Sequence, residues 1–186
     1  PKSKIDPDKA VGLYQEIIHK GSTQEAQAAL SGLGQLKVAS AAAYLSDLIG
    51  LMRSGKLPAA IHLDLIEAVE TKADDDPLRA ELKNYETELL EKDERGLFAA
   101  ALEGGGHRAG WRVFYRNTAG QCTRCHAIFE FGGNVGPNLS GVGERLSPRE
   151  ILASIIRPSA ALALGHETVL VTLNDAEETA LSGIVL

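Results

Sequence analysis

The residues with the clearest chemical potential lie between Cys122 and His126, where the order Cys-Thr-Arg-Cys-His puts two thiols and an imidazole within five positions. This Cys-x-x-Cys-His spacing is typical of covalent attachment of a c-type haem. In such a site each thiol forms a thioether with one vinyl group, and the histidine supplies an axial nitrogen to the iron. Two intervening residues place both sulfurs on one side of a single helical turn, and the next residue then faces the metal.

Two other kinds of site share part of this pattern. A thioredoxin-like dithiol uses Cys-x-x-Cys, but it needs no histidine and accompanies a βαβ pattern that this sequence lacks. A structural zinc site usually needs four protein ligands, and the chain contains only these two cysteines. The adjacent histidine and the single cysteine pair favour haem attachment over both, and predict one covalently bound haem c.

Composition limits the partners that the chain can have. The 186 residues carry a net charge of −6, which argues against a nucleic-acid partner. No apolar run reaches the length of a membrane span. The chain opens with Pro1, without a signal peptide, and ends at Leu186 within a predicted strand. We therefore expect an excised piece of a longer exported protein.

The first half of the chain shows helical periodicity. From about residue 6 to about residue 90, apolar residues recur at spacings that predict successive amphipathic helices. Segments 29–36 and 62–69 share their apolar spacing about one helix pair apart, which suggests a small α-solenoid. This half resembles HEAT repeats, and an ordinary helical bundle is nearly as compatible with the pattern. We predict a helical domain over residues 1–103, and we assign no chemistry to it.

The second half carries a more specific resemblance. Gly104–Gly106 marks the predicted domain boundary, and a helix from His107 to about residue 117 leads into the motif. Residues 104–186 resemble a monohaem class I cytochrome c. They are most similar to the C-terminal cytochrome c domain of large exported bacterial dehydrogenase-like proteins, which commonly carry a β-propeller and helical repeats before it. The resemblance implies a periplasmic or cell-surface location. The matching positions are Gly110, Phe114, Cys122 to His126, Gly132-Gly133, Val135 to Leu139, Gly141 to Gly143, Ser147 to Leu152, Arg157 to Ser159 and Gly165.

The same resemblance implies roles around the motif. Cys122 and Cys125 would anchor the haem, and His126 would ligate iron through Nε2. The Nδ1–H of His126 would donate to the carbonyl of Pro137, which fixes the ring and raises its basicity. A set of glycines would let the following loop pass close to the porphyrin edge. These glycines are Gly132, Gly133 and Gly136.

Three further side chains, Arg124, Arg145 and Trp111, could contact the haem or could have a role unrelated to it. Arg124 and Arg145 could each pair with a haem propionate, or lie solvated at the surface. Trp111 could cover a haem edge, although packing in the core of its helix is the simpler expectation. A helix from Ser147-Pro148 through Arg157 is predicted to roof part of the haem pocket.

The sequence offers several candidates for the second axial ligand. Class I cytochromes usually place a methionine well after the proximal histidine, but none follows His126 here. His166 is the only later histidine, and we predict it as the distal ligand. The alternatives are a loop histidine without contacts, a five-coordinate or water-bound iron, and a ligand from another chain or domain. His107 and Met52 are weaker candidates, and Met52 is more simply a core residue.

The chain ends in a different pattern. Alternating apolar residues from Val169 to Leu173, a turn at Asn174-Asp175 and a second apolar run from Leu181 to Val185 predict a β-hairpin. Class I cytochromes normally end in a helix, so this ending agrees better with the narrower domain family.

These observations predict electron transfer. The iron would accept an electron from a donor protein or an upstream dehydrogenase domain and pass it to an acceptor protein. We do not expect this fragment to be a catalyst by itself. The alternative is a haem enzyme or gas-binding module with an open iron position. The helical half could also serve as a scaffold that docks the haem domain onto a partner.

Overall fold

The computed structural model describes residues 6–92, 96–174 and 180–184. This part of the chain is mainly α-helical, as predicted, with two small two-stranded antiparallel sheets. It divides into two compact units, residues 1–105 and 106–186. Within the described residues, no helix has both the length and the apolar character needed to cross a bilayer. The elements are α1 (Pro7–Lys20), α2 (Thr23–Gln35), α3 (Ala39–Arg53), α4 (His62–Glu70), α5 (Pro77–Lys92), α6 (His107–Arg116), β1 (Ala127–Ile128), β2 (Phe131–Gly132), α7 (Val142–Arg145), α8 (Pro148–Ile156), β3 (Thr168–Thr172) and β4 (Ala180–Ile184), with 3₁₀ turns at Ala59–Ile61, Gly96–Leu102 and Cys122–Arg124.

Helices α1, α2 and α5 of the first unit begin at residues whose side chains cap them. The backbone N–H of Glu25 donates to the Ser22 side chain, and the Glu25 carboxylate accepts from the Ser22 N–H at 2.8 Å. This capping box satisfies two N–H groups that an isolated helix would leave unpaired. The same bonds from Ser22 lower the pKa of Glu25. Asp76 caps α5 in a related way, since its carboxylate accepts from the N–H of Leu78 at 2.9 Å.

The first unit is held together by an apolar core. Helix α2 packs against α1 and α4, while α3 packs against α1, α4 and α5. Met52 is only 3% exposed, so it lies in this core as the simpler expectation had it. Each fully buried leucine contributes roughly 1.5–3 kcal/mol relative to an exposed one. The fully buried side chains are Leu30, Leu33, Leu45, Leu48, Ile49, Leu65, Val69 and Leu82.

The crossing of α2 and α4 depends on Gly34. A Cβ built at this position would lie 2.9 Å from the Ala68 carbonyl oxygen, so only glycine allows the two backbones to come this close. The end of α2 is then fixed from the other side. The Lys72 ammonium donates to the carbonyls of Gly34 and Leu36 at 2.6 and 2.9 Å. A cation at a helix C-terminus stabilises carbonyls that have no partner within the helix.

The second unit contains the predicted helices and hairpin. Helix α8 begins with a capping box between Ser147 and Glu150, as the Ser-Pro start predicted. Strands β3 and β4 pair antiparallel, with Val169 opposite Gly183 and Val171 opposite Leu181, so the β-hairpin is confirmed. Its predicted turn includes Asp175, which lies outside the described residues.

Apolar side chains of the second unit stay largely at its surface. Among its described residues none is buried. Trp111 is 53% exposed and contacts Tyr115 at a ring distance of 4.8 Å, so the expectation that it packs in a core is wrong. On α8, Ile155 is 73% exposed. Other large apolar residues that are exposed include Val113, Phe129, Phe131, Val135, Leu162, Leu164 and Leu170.

Candidate functional site

The motif forms one tight turn directly after α6. Asn117 ends the helix and its side-chain oxygen accepts from the N–H groups of Ala119 and Gly120 at 2.9 and 2.6 Å. The N–H groups of Cys125 and His126 then both donate to the Cys122 carbonyl, at 3.2 and 2.9 Å. The two cysteines therefore sit one turn apart, as the spacing predicts, and no disulfide joins them.

A strap of residues 133–139 runs beside this turn. The N–H groups of every third residue donate to carbonyls of the motif and of Ala127, which follows it. Gly133 donates to Thr123 at 2.8 Å, and Gly136 donates to Cys125 at 2.7 Å. The third bond, from Leu139 to Ala127, measures 2.8 Å. These three backbone hydrogen bonds fix the strap beside the motif, and therefore fix its position relative to His126.

The glycines of this region are needed for the close approach of the backbone to the motif. A Cβ at Gly132 would lie 2.1 Å from the His126 carbonyl oxygen, and one at Gly133 would lie 2.1 Å from that of Arg124. A Cβ at Gly136 would lie 2.6–3.1 Å from three atoms of the His126 ring. The close approach that excludes a side chain is thus to the motif itself. Any larger residue would push the strap away from the imidazole.

The imidazole of His126 is oriented by the strap. Its Nδ1 lies 2.9 Å from the carbonyl oxygen of Pro137, the contact that the resemblance implies. A carbonyl can only accept, so this bond requires the proton on Nδ1 and leaves Nε2 with a free lone pair. Such a partner also fixes the plane of the ring and makes Nε2 more basic.

The structure brings His166 to the same strap. Its Nδ1 lies 3.1 Å from the carbonyl oxygen of Val135, two residues before Pro137. The same argument places the proton on Nδ1 and leaves Nε2 of this ring free as well. The loop histidine therefore has a defined contact, which excludes the alternative that it touches nothing.

A polar network fixes the end of the strap. The guanidinium of Arg145 donates to the carbonyls of Ser140 and Asn138 at 2.9 and 3.2 Å. Side chains of Asn138 and Ser140 in turn bind the carbonyl and the N–H of Phe129. Phe129 has a φ of 56°, a left-handed conformation that is costly for a bulky residue. The network satisfies both backbone groups of this residue and so holds the turn between β1 and β2.

The two arginines predicted to pair with haem propionates form hydrogen bonds to other groups of the protein. Arg145 braces the strap through the two carbonyls just described, and Arg124 donates to the Gln121 side chain at 2.8 Å. Both remain exposed, so each can still present part of its guanidinium to an anion. Sequence reasoning missed the role of Asn138 and Ser140. Their types were a usable signal, because Asn and Ser often bind nearby backbone groups in turns.

Met52 and His107 are the weaker candidates for the second ligand. Met52 lies in the core of the first unit, and His107 is an exposed residue at the start of α6. Among the described residues, no group of three or more His, Cys, Asp or Glu side chains is placed to hold a metal ion.

Comparison with known proteins adds no family assignment. No family model, no curated protein and no solved structure matches the chain.

Proposed function

We propose that the second unit carries one c-type haem, covalently attached at Cys122 and Cys125, and that the chain transfers electrons. One observation carries this proposal: the 2.9 Å contact between His126 Nδ1 and the Pro137 carbonyl, made within a Cys-x-x-Cys-His turn. It gives the imidazole the tautomer and the fixed orientation that an iron ligand needs. A thiol-disulfide enzyme needs no histidine held in this way.

The surface around the motif supports the same proposal. A porphyrin is a large apolar ring with an anionic edge, and covering it requires apolar side chains that the protein has not buried elsewhere. Phe131 and Val135 on the strap side are 71% and 45% exposed, and Leu164 is 95% exposed just before His166. Burial of such residues against a ring would add roughly 25 cal/mol for each Å² of apolar surface covered. The residues present therefore fit the group.

The protein's own contribution to electron transfer is to hold and tune the group. A bound haem supplies one-electron exchange between ferric and ferrous iron. Cys122 and Cys125 fix its position, and His126 supplies a basic nitrogen that favours the ferric state. The Pro137 carbonyl strengthens that effect by drawing on the Nδ1 proton. Arg124 and Arg145 remain candidates for contact with its propionates.

We extend the proposal to His166 as the second axial ligand. Its Nδ1 is engaged by Val135 at 3.1 Å, so Nε2 is free in the way that His126 Nε2 is free. Two imidazole ligands predict a reduction potential below that of cytochromes with histidine and methionine ligands, since methionine raises the potential. The alternative is an open position that would suit a gas-binding module or haem enzyme.

Visible spectroscopy and a redox titration test these proposals together. The haem-loaded full chain is expected to show a low-spin spectrum in both oxidation states, a potential below the histidine–methionine range and no change under carbon monoxide. Replacement of His166 by alanine should then open the iron to carbon monoxide. Ready binding by the unaltered protein would contradict His166 ligation and favour the gas-binding alternative. A chain that never acquires haem would contradict the proposal as a whole.

The first unit supports a smaller proposal. Helices α1, α3 and α5 contact one another in sequence as one row, and α2 contacts α4 in a second row. Two such rows are what stacked helix pairs produce, so we propose a short HEAT-like repeat segment rather than an up-and-down bundle. This segment would act as a scaffold that docks the haem unit onto a partner. The partner would be a donor or acceptor protein, or an upstream dehydrogenase domain. We place the protein in the periplasm or at the cell surface. Removal of the residues before Glu103 should slow reduction by such a partner and leave the spectrum unchanged.

A further inference from the structure

Positive charge is concentrated around the haem motif of an otherwise acidic chain. The 186 residues sum to −6, yet the stretch between Glu103 and Glu130 contains four arginines and no acidic residue. Three of these arginines lie on α6, at Arg108, Arg112 and Arg116. Their four-residue spacing places them along one side of the helix, which ends six residues before Cys122.

The arginines of α6 are not neutralised by the described part of the protein. None of the ion pairs found among the described residues includes an arginine of α6. Like charges at a spacing of four residues destabilise a helix by roughly 0.2–0.5 kcal/mol per pair. The three arginines therefore destabilise α6, and no ion pair among the described residues compensates for this cost.

Aromatic side chains accompany the charges. Trp111 lies between Arg108 and Arg112 in sequence and is 53% exposed, and the three residues line a shallow open depression together with His107. The guanidinium of Arg116 lies 5.9 Å from the centre of the Trp111 ring. Exposed tryptophan and arginine side chains are the residue types that contribute most binding energy in protein interfaces.

We propose that the exposed face of α6, formed by Arg108, Trp111, Arg112 and Arg116, is the docking surface for an acidic electron-transfer protein. This proposal rests on the proposed function, because the partner exchanges electrons with the haem attached beyond the end of the helix. Charge complementarity indicates the partner, because α6 carries three arginines and no acidic residue, and such a cationic face attracts an anionic surface and accelerates the encounter. Trp111 then supplies the apolar contact at the centre of the complex.

The first experiment measures oxidation of the ferrous full chain by two small reagents of opposite charge. With hexacyanoferrate(III) the rate should fall steeply as ionic strength rises, and the triple variant Arg108→Glu/Arg112→Glu/Arg116→Glu should react about tenfold more slowly at low salt. With the cationic tris(phenanthroline)cobalt(III) the same variant should react faster than the unaltered chain. Arg112→Glu is compared with the matched control Arg149→Glu on exposed α8. Equal effects from these two single variants would overturn the proposal.

The second experiment separates docking from other uses of the arginines. Poly-L-glutamate, as a surrogate for an acidic protein, should bind the unaltered chain at low salt and bind Trp111→Ala and Arg112→Glu several-fold more weakly. Preference for vesicles of anionic phospholipid over poly-L-glutamate would overturn the proposal in favour of a membrane surface. A changed reduction potential in Arg112→Gln would overturn it in favour of a contact to the haem propionates. A chain that acquires no haem but still binds poly-L-glutamate, with weaker binding in Arg112→Glu, would contradict haem attachment. It would not contradict the docking of an acidic protein on α6.

Discussion

The two units of the chain are stabilised in opposite ways. The first buries a continuous apolar core in which leucines such as Leu30 and Leu45 have no exposed surface. In the described residues of the second unit, no side chain is buried, and apolar groups such as Leu164 lie almost fully exposed. The second unit is nevertheless ordered in detail, because backbone and side-chain hydrogen bonds fix the motif, the strap and the turn at Phe129.

This difference shows what a polar framework can and cannot do alone. A hydrogen bond between protein groups contributes only about 1 kcal/mol net, since the same groups bind water in the unfolded chain. Burial of apolar surface is the main favourable term in folding, and the first unit has it within its own sequence. The second unit presents its apolar side chains to a partner group instead. In our account that group is the haem, and the predictions below test the comparison in order of expected effect.

The largest effect is expected from removal of both attachment thiols. The double variant Cys122→Ser/Cys125→Ser should lose the haem and with it the cooperative unfolding of the second unit, a loss on the order of 5 kcal/mol. Hydrogen exchange read out by peptide should show fast exchange in residues 106–174 and unchanged protection in α2–α4. Equal protection of the second unit in the variant and the parent would contradict its dependence on haem.

The next effect is confined to the first unit. Leu45→Ala removes a fully buried side chain and should lower the free energy of unfolding of this unit by about 2–5 kcal/mol. Chemical denaturation followed by far-ultraviolet circular dichroism measures it, and the visible spectrum should not change. Leu13→Ala is the matched control, since Leu13 is 52% exposed and its loss should cost less than about 0.5 kcal/mol. Loss of the haem spectrum in Leu45→Ala would contradict this comparison, because the haem unit would then depend on the core of the first unit.

A smaller effect is expected where the strap meets the imidazole. In Gly136→Ala the new methyl group would lie 2.6–3.1 Å from the His126 ring, so the strap must move away. We expect a loss of about 1–3 kcal/mol and a change in the reduction potential, because the bond to Pro137 is disturbed. Gly143→Ala, which meets nothing within 4 Å, should change neither. A potential that stays the same in both variants would indicate that the strap does not tune the histidine.

The smallest effect concerns one carboxyl of the first unit. Burial raises the pKa of Asp64 from the ordinary 3.8, and its Oδ2 has no hydrogen-bond partner. A folded-state pKa above the unfolded one means that stability is lost as pH rises through the folded value. Asp64→Asn should therefore stabilise the protein at pH 7 by less than about 1 kcal/mol, since the side chain is only partly buried, and the gain should vanish below pH 3.8. Thermal unfolding across pH measures this, with Asp75→Asn at an exposed position as control; a variant less stable at pH 7 would contradict it.

Local signals in the sequence predicted much of the fold. Ser22 and Ser147 fix helix starts through capping boxes, and the alternation around Val169 gives the β-hairpin, because both signals act within a few residues. The exposure of Trp111 could not be predicted in this way. Its helical spacing is that of a core residue, and only the absence of a covering element in the described part of its unit leaves it exposed.

The contact of His126 was expected from the sequence, whereas the supports of the site were not. The resemblance to cytochromes c, carried by the motif and by Gly136-Pro137, implied the bond between His126 and Pro137. The network from Arg145 to Phe129 was not expected, because it depends on contacts between residues up to 11 positions apart whose types have many other uses. The contact of His166 with Val135 spans 31 positions and follows only from the fold of the intervening loop.

The central claim is a covalent bond between this chain and a haem, and intact mass spectrometry tests it most directly. We expect the full chain, produced with a periplasmic haem-ligation system and denatured before injection, to have the mass of the polypeptide plus one haem. Peptide mapping should place that added mass between Gln121 and His126. A mass equal to the bare polypeptide under these conditions would contradict the account.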